Sequence, residues 1–204
     1  MSFFNRDLKK EHLLSIYLDE VYTKIGLSFK RISDLNLQLQ GIDLIYNHLG
    51  NDFFIDEKAQ LDYINKDLPT FTFELSYLKN NIKKIGWFLD DSKLTTHYFL
   101  ITGIYANYKN DLSKGFNKCV ITSVNRKKLN DYLASIGLNH EKLIEYDKNI
   151  RASNTEENKT YITELNNRNQ GCLYYSPQLH EKPINLQLRL EFLITENIAK
   201  KIYP

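Results

Sequence analysis

Apolar residues recur at three- and four-residue intervals between Glu11 and Ile25, at Leu13, Leu14, Tyr17, Leu18, Val21 and Ile25. This spacing predicts an amphipathic helix that Gly26 stops. From Asp34 to Gln40 the period changes, with Leu35, Leu37 and Leu39 alternating with Asn36, Gln38 and Gln40, and strict alternation predicts an extended segment ending at Gly41. Ile42 to Tyr46 and Phe53 to Lys58 read as two strands around a turn rich in Gly, Asn and Asp, a β-hairpin. Thr70 to Leu75 follows Pro69 as a third strand and Thr95 to Tyr105 is a fourth, with Gly86-Trp87 in the link. Cys119 to Thr122 is a short apolar strand. Ser123 or Asn125 can cap the helix after it, which carries Leu129, Tyr132, Leu133 and Ile136 and ends at Gly137. Residues 147 to 170 are nearly devoid of large apolar groups and read as a polar surface excursion. Leu186, Leu188, Leu190 and Phe192 alternate with polar residues as a strand does. With no internal repeat and no Pro- or Gly-rich linker, the pattern predicts one mixed α/β domain over residues 1–204.

Composition narrows the class. The 204 residues are 42% hydrophobic and 25% charged, which excludes a wholly disordered, collagen-like or coiled-coil chain. A formal net charge of +2 gives no bulk attraction for nucleic acid, so any basic surface has to be local. Cys119 and Cys172 form no CxxC, leaving neither a zinc knuckle nor a disulfide framework and making a reducing cytoplasm the expected location. The first ten residues carry no apolar stretch of the signal-peptide kind, and no run approaches the roughly 18 apolar residues of a membrane span.

The hairpin carries the candidate chemistry. Residues two apart on a strand share a face, so Asp56 and Lys58, and Gln60 beyond them, project together while Glu57 points away. If the hairpin is symmetric about the midpoint between Leu49 and Gly50, Asp43 stands opposite Asp56. Opposed carboxylates with Cβ atoms about 5 Å apart repel each other, and a cation between them removes the conflict. Two carboxylates suit Mg²⁺, with Mn²⁺ as a substitute, because such ions keep waters and accept phosphate oxygens as remaining ligands. That inventory fits phosphodiester hydrolysis by a metal-activated water, with the Lys58 ammonium orienting the water or offsetting developing charge.

An acid, then acid-x-Lys on the next strand, following an N-terminal helix, resembles the PD-(D/E)XK nuclease superfamily. The resemblance covers roughly the first two-thirds of the chain. It maps Asp43 to the first acid, Asp56 to the second and Lys58 to the lysine, with Glu57 as spacer; Ile42 stands where the family has proline. It implies a restriction-endonuclease-like α-β-β-β-α-β core, a central mixed sheet flanked by helices, and a Mg²⁺-dependent endonuclease acting most readily on DNA. Acid-x-Lys also occurs at Asp7/Lys9, Asp91/Lys93 and Glu157/Lys159, but only the Asp56 copy has an apolar strand before it and a partner acid across a short turn.

Three further side chains are candidates for the same site: Glu20 beside the apolar stripe of the first helix, Gln60 at the strand end, and Glu74, read as following Phe71 and Phe73 onto the core side of the third strand. Lys109, Lys114, Lys118, Arg126, Lys127 and Lys128, against the single acid Asp111, form a local basic segment that can track phosphates. The histidines show no zinc-hydrolase spacing, and no GxGxxG, GxxxxGK[ST] or GxSxG is present. Cys119, in an apolar strand, reads as buried. Cutting both strands of a duplex would call for a homodimer, for which no apolar stripe marks a face. The alternative function is a non-catalytic nucleic-acid-binding or protein-interaction module that keeps the fold.

Overall fold

The computed structural model describes residues 3–108, 111–153 and 157–204, with the side chains of the first helix described from Lys9 onward. In chain order the elements are α1 (Phe3–Lys24), β1 (Phe29–Arg31), α2 (Leu35–Leu39), β2 (Leu44–His48), β3 (Asn51–Ala59), β4 (Thr70–Lys79), β5 (Ile82–Ile85), β6 (His97–Ala106), β7 (Phe116–Asn125), α3 (Arg126–Ser135), α4 (His140–Ala152), β8 (Lys159–Thr160), β9 (Gly171–Tyr175), β10 (Ile184–Arg189), α5 (Leu190–Thr195) and β11 (Ala199–Tyr203). The protein is mixed α/β. Its chain divides into two compact units, one of residues 1–68, 95–124 and 200–204, the other of residues 69–94 and 125–199.

The first unit is built on a six-stranded mixed sheet in the order β1-β2-β3-β6-β7-β11. β1 pairs antiparallel with β2 and β2 with β3, whereas β3 pairs parallel with β6. Parallel neighbours need a crossover, and residues 60–96 supply it. Leu14, Leu18, Val21 and Tyr22 of α1, spaced as one helical stripe, bury against Leu44, Ile55, Phe99, Ile101 and Ile121 of the strands. Burying a side chain of this size contributes about 1.5–3 kcal/mol, so the helix is held mainly by that stripe. Ile55 and Glu57 share the face that meets α1; Asp56 and Lys58 share the other.

The second unit holds an antiparallel sheet in the order β5-β4-β10-β9-β8. Phe71, Phe73 and Leu75 of β4 bury one face, with Phe73 packed on Phe88 and Trp87 at ring-centroid distances of 5.3 and 5.6 Å. Asp147 of α4 is buried at 1% exposure, accepts from Ser76 and Lys83, and lies 3.5 Å from Arg151.

Several expectations change. Asp34 to Gln40 is not extended: the Asp34 carboxylate accepts the backbone N–H groups of Asn36 and Leu37 and caps α2, which buries none of its residues. Strand β4 forms as expected but pairs with β5 and β10, so the place beside β3 falls to β6. The polar stretch begins later than 147, because α4 continues to Ala152 and buries Asp147 and Ile150. The alternation near the C-terminus stops at Arg189; Leu190 and Phe192 belong to α5, which starts where the Leu190 N–H donates to the Pro69 carbonyl. Asn125 does cap α3, accepting the Lys128 N–H, and Gly137 follows the helix at φ 85°.

Candidate active site

The hairpin turns through Leu49 and Gly50, both at positive φ (51° and 79°), the geometry of a two-residue turn matched to strand twist. Its register pairs Leu44 with Ile55, Tyr46 with Phe53 and His48 with Asn51, which carries Asp43 opposite Asp56. The Asp43 backbone N–H donates to the Ile55 carbonyl at 2.8 Å, and the Glu57 N–H returns a bond of 2.8 Å to Asp43 Oδ2. Asp56 is buried at 3% exposure and accepts from Lys58 Nζ at 2.5 Å.

Asp43 and Asp56 lie within hydrogen-bonding reach of each other. Burial first, and then the charge of Asp56, pushes the Asp43 carboxyl up to about 6, against the pull of the Glu57 N–H and of Lys58. Two carboxyls and one ammonium thus meet at the foot of the hairpin. Asp43 and Lys58 also line a cavity of about 620 Å³ in the first unit, together with Arg31, Gln38 and Glu57 and with residues of α1; Asp56 is not among the lining residues.

Glu57, the spacer of the motif, has its own partners on the opposite face. Its carboxylate accepts from the Tyr22 hydroxyl at 2.6 Å and from Arg31 Nη1 at 2.5 Å, and Arg31 turns its Nε and Nη2 to Asp19 at 2.8 and 2.6 Å. Burial, followed by the neighbouring Glu57 charge, holds the Tyr22 phenol well above its ordinary value. Burial by itself would lower the Arg31 guanidinium, but hydrogen bonds to Glu57 and Asp19 carry it above the usual range. Sequence reasoning missed this network of Asp19, Tyr22, Arg31 and Glu57. One signal was available: Glu57 is in period-two register with buried Ile55, and a carboxylate on an apolar face needs donors.

The remaining candidates are dispersed. Glu20 is exposed on α1; its neighbour Asp19 is the acid that reaches Arg31. Gln60 follows the end of β3, half-buried, with its backbone N–H on the Ile101 carbonyl. Glu74 is on β4 in the other unit, and because Phe71, Phe73 and Leu75 take the buried face, it alternates away from them. Lys109 lies outside the described residues. Lys114 and Lys118 belong to the first unit, with Lys118 Nζ 5.0 Å from the centre of the Tyr105 ring. Arg126, Lys127 and Lys128 belong to the second. Arg126 donates to the Lys93 and Asp90 carbonyls at 2.7 and 3.0 Å, Lys127 pairs with Asp131 at 2.6 Å, and Lys128 reaches the Asn197 carbonyl at 3.2 Å. Cys119 is fully buried, and burial pushes its thiol up to about 12, which leaves it inert as a nucleophile.

No family model, curated protein or solved structure matches this chain. Among the described residues, no helix is long and apolar enough to cross a membrane.

Proposed function

We propose that the protein is a metal-dependent nuclease that hydrolyses phosphodiester bonds, most readily in DNA, on a restriction-endonuclease-like core in the first unit. The observation that carries this reading is the meeting of the Asp43 and Asp56 carboxyls beside Lys58 at the foot of one hairpin. Burying two adjoining acids costs stability, and a site that retains them has a use for a cation.

The donor set fits Mg²⁺ or Mn²⁺. Asp43 and Asp56 would hold the ion, and the repulsion from Asp56, which adds to burial in raising Asp43, is what a dication relieves. Among the described residues no group of three or more His, Cys, Asp or Glu side chains is placed to bind a metal, so water and substrate oxygens would complete the coordination, as hard ions with one or two carboxylates allow. When bound, such an ion supplies Lewis acidity and lowers the pKa of water. Lys58, held on Asp56, sets a positive charge where phosphoryl oxygens gain negative charge. The Glu57 N–H fixes the orientation of Asp43. Lys114 and Lys118, in the same unit as the site, are the members of the basic segment we assign to phosphates beyond it. Two free, buried cysteines accord with a cytoplasmic setting.

The test is incubation of the protein with closed-circular, linear and single-stranded DNA and with RNA, each with Mg²⁺, Mn²⁺ or EDTA. Cleavage that requires metal and disappears in both Asp43→Asn and Asp56→Asn is expected. Cleavage that survives EDTA or both substitutions would refute the assignment, and tight binding without cleavage by a folded protein would favour the non-catalytic module.

A further inference from the structure

We infer that Thr95 is a positioning residue for the proposed metal site: with Thr96 it ties the segment that delivers Asp43 to the strand that carries Asp56, and the fixed separation of the two carboxylates favours a small divalent ion over a larger one. The inference rests on the nuclease reading for the use of those carboxylates and adds to it a residue that decides which ion they accept.

The hydrogen bonds at the start of β6 carry it. Thr95 is buried at 4% exposure, and its Oγ1 donates to the Gly41 carbonyl at 2.7 Å. The next residue holds the other strand. Thr96 donates its N–H to the Phe54 carbonyl at 2.8 Å and accepts the Phe54 N–H on its Oγ1 at 2.9 Å. Gly41 stands two residues before Asp43 and Phe54 two residues before Asp56, and residues two apart in extended chain share a face. One dipeptide therefore grips both acid-bearing segments at the same offset from their acids. Because consecutive Cα atoms are held about 3.8 Å apart, the two grips cannot separate without breaking a bond.

The Asp43 side has the greater need of this hold. Asp56 lies within β3, flanked by β2 and β6, whereas Asp43 precedes the first residue of β2. Its N–H bond to the Ile55 carbonyl closes that end of the hairpin; upstream, the Ile42 and Gly41 N–H groups turn back to the Leu37 and Gln38 carbonyls at 3.0 and 2.9 Å. Gly41 is at φ 77°, where the chain leaves the sheet, and the Thr95 hydroxyl anchors it there. Rigidity of this kind discriminates between ions. Mg²⁺ takes oxygens at roughly 2.0–2.1 Å and demands a near-octahedral set, while Ca²⁺ accepts roughly 2.3–2.6 Å in flexible geometry.

The experiment measures Mg²⁺ and Ca²⁺ binding by calorimetry, which needs no turnover. Thr95→Val keeps the branched shape and removes the donor; Thr95→Ser keeps the donor. Thr96→Val removes the bond to the Phe54 N–H and leaves the one to its carbonyl. Each variant is titrated at a temperature at which circular dichroism shows it folded, and its urea midpoint is read in parallel. Thr95→Val is expected to bind Mg²⁺ about tenfold more weakly and Ca²⁺ within about twofold of the parent, the lower end of what lost support for a metal ligand costs. Thr95→Ser restores Mg²⁺ binding, and Thr96→Val shows the same shift toward Ca²⁺ in smaller measure. An equal loss for both ions, tracking a lower urea midpoint, would reduce Thr95 to a structural role and overturn the inference. Parental Mg²⁺ affinity in folded Thr95→Val, or no recovery in Thr95→Ser, would overturn it too. If Thr95→Val does not fold, Thr96→Val decides alone, and a parental ratio of the two affinities there overturns the inference. Metal-dependent cleavage by the parent with an unchanged ion preference in the variants leaves the nuclease reading intact; a parent that binds neither ion ends both.

Discussion

Replacing Asp43 by Asn should stabilise the protein at neutral pH, and the gain should vanish in acid. The Asp43 carboxyl is pushed up to about 6 from an ordinary 3.8 by burial and by Asp56. The native state therefore holds a proton there that the unfolded chain has released. Stability falls as pH rises through that interval, and the loss is complete above the folded value. At 1.36 kcal/mol for each tenfold step, the penalty levels off at about 3 kcal/mol above pH 7. Asparagine removes the charge yet keeps an Oδ1 that can accept the Glu57 N–H bond. Urea unfolding of both proteins from pH 4 to 8, without metal, should show curves that coincide near pH 4 and separate to about 3 kcal/mol by pH 7.5. In a chain of this length that corresponds to roughly 6–12 °C in melting temperature. An Asp43→Asn variant that is less stable than the parent at pH 7.5, or a difference independent of pH, would refute the claim that burial and the neighbouring Asp56 raise the Asp43 carboxyl in the folded state.

Lys58→Met should lower single-turnover cleavage by about 100-fold, the scale of losing one electrostatic donor, with metal affinity held or improved; parental rates, or an equal effect of Lys93→Met, would remove Lys58 from the chemistry. Arg31→Met strips the Glu57 carboxylate of its cation and should cost about 2 kcal/mol, below the 3–5 kcal/mol of a fully buried pair because both groups keep some solvent; an unchanged urea midpoint would show that Tyr22 alone suffices. In the second unit, Asp147→Ala leaves Lys83 and Arg151 without their buried anion and should cost about 3 kcal/mol, read as loss of hydrogen-exchange protection along β4 and α4.

Local order was legible wherever burial enforced it. The helix of 11–25, the hairpin, β6, β7 and the cap of α3 each carry a period that one buried face imposes. The hairpin register followed from symmetry about Leu49-Gly50, although leucine at φ 51° is a conformation that costs roughly 1–2 kcal/mol. Cross-strand contacts oppose that cost, with Tyr46 stacked on Phe53 at 5.9 Å and Asn47 bonded to Asp52 at 2.8 Å. What failed to show was non-local or unburied. The leucines of α2 alternate without a buried face behind them, Leu35 being 66% and Leu39 63% exposed, so their period carried no information about a sheet. The strand character of β4 was plain, but its sheet was decided by β10, more than a hundred residues away in the chain. The division into two units has no linker to announce it, because the chain passes between them at ordinary turns and inside continuous elements.

The run Asp56-Glu57-Lys58 shows how alternation sorts acids by role. Strand geometry sends its two carboxylates to opposite faces, and each finds a second acid there: Asp19 near Glu57, Asp43 near Asp56. On the Glu57 face the Arg31 guanidinium lies between the acids, its fork of donors satisfying both, and the Tyr22 hydroxyl adds another. In that arrangement each acid is bonded to the guanidinium between them. On the Asp56 face the ammonium of Lys58 bonds Asp56, while Asp43 and Asp56 are left in reach of each other and Asp43 carries the cost as a raised pKa. Two acids and one cation on each face therefore give an ion network in which both acids bond the cation on one side of the strand, and on the other a pair that the Glu57 N–H and Lys58 relieve only in part. The partly relieved side is where a divalent ion would lower the energy of the folded protein, and for that reason the proposed chemistry is assigned to Asp43, Asp56 and Lys58 and not to the better-bonded Glu57.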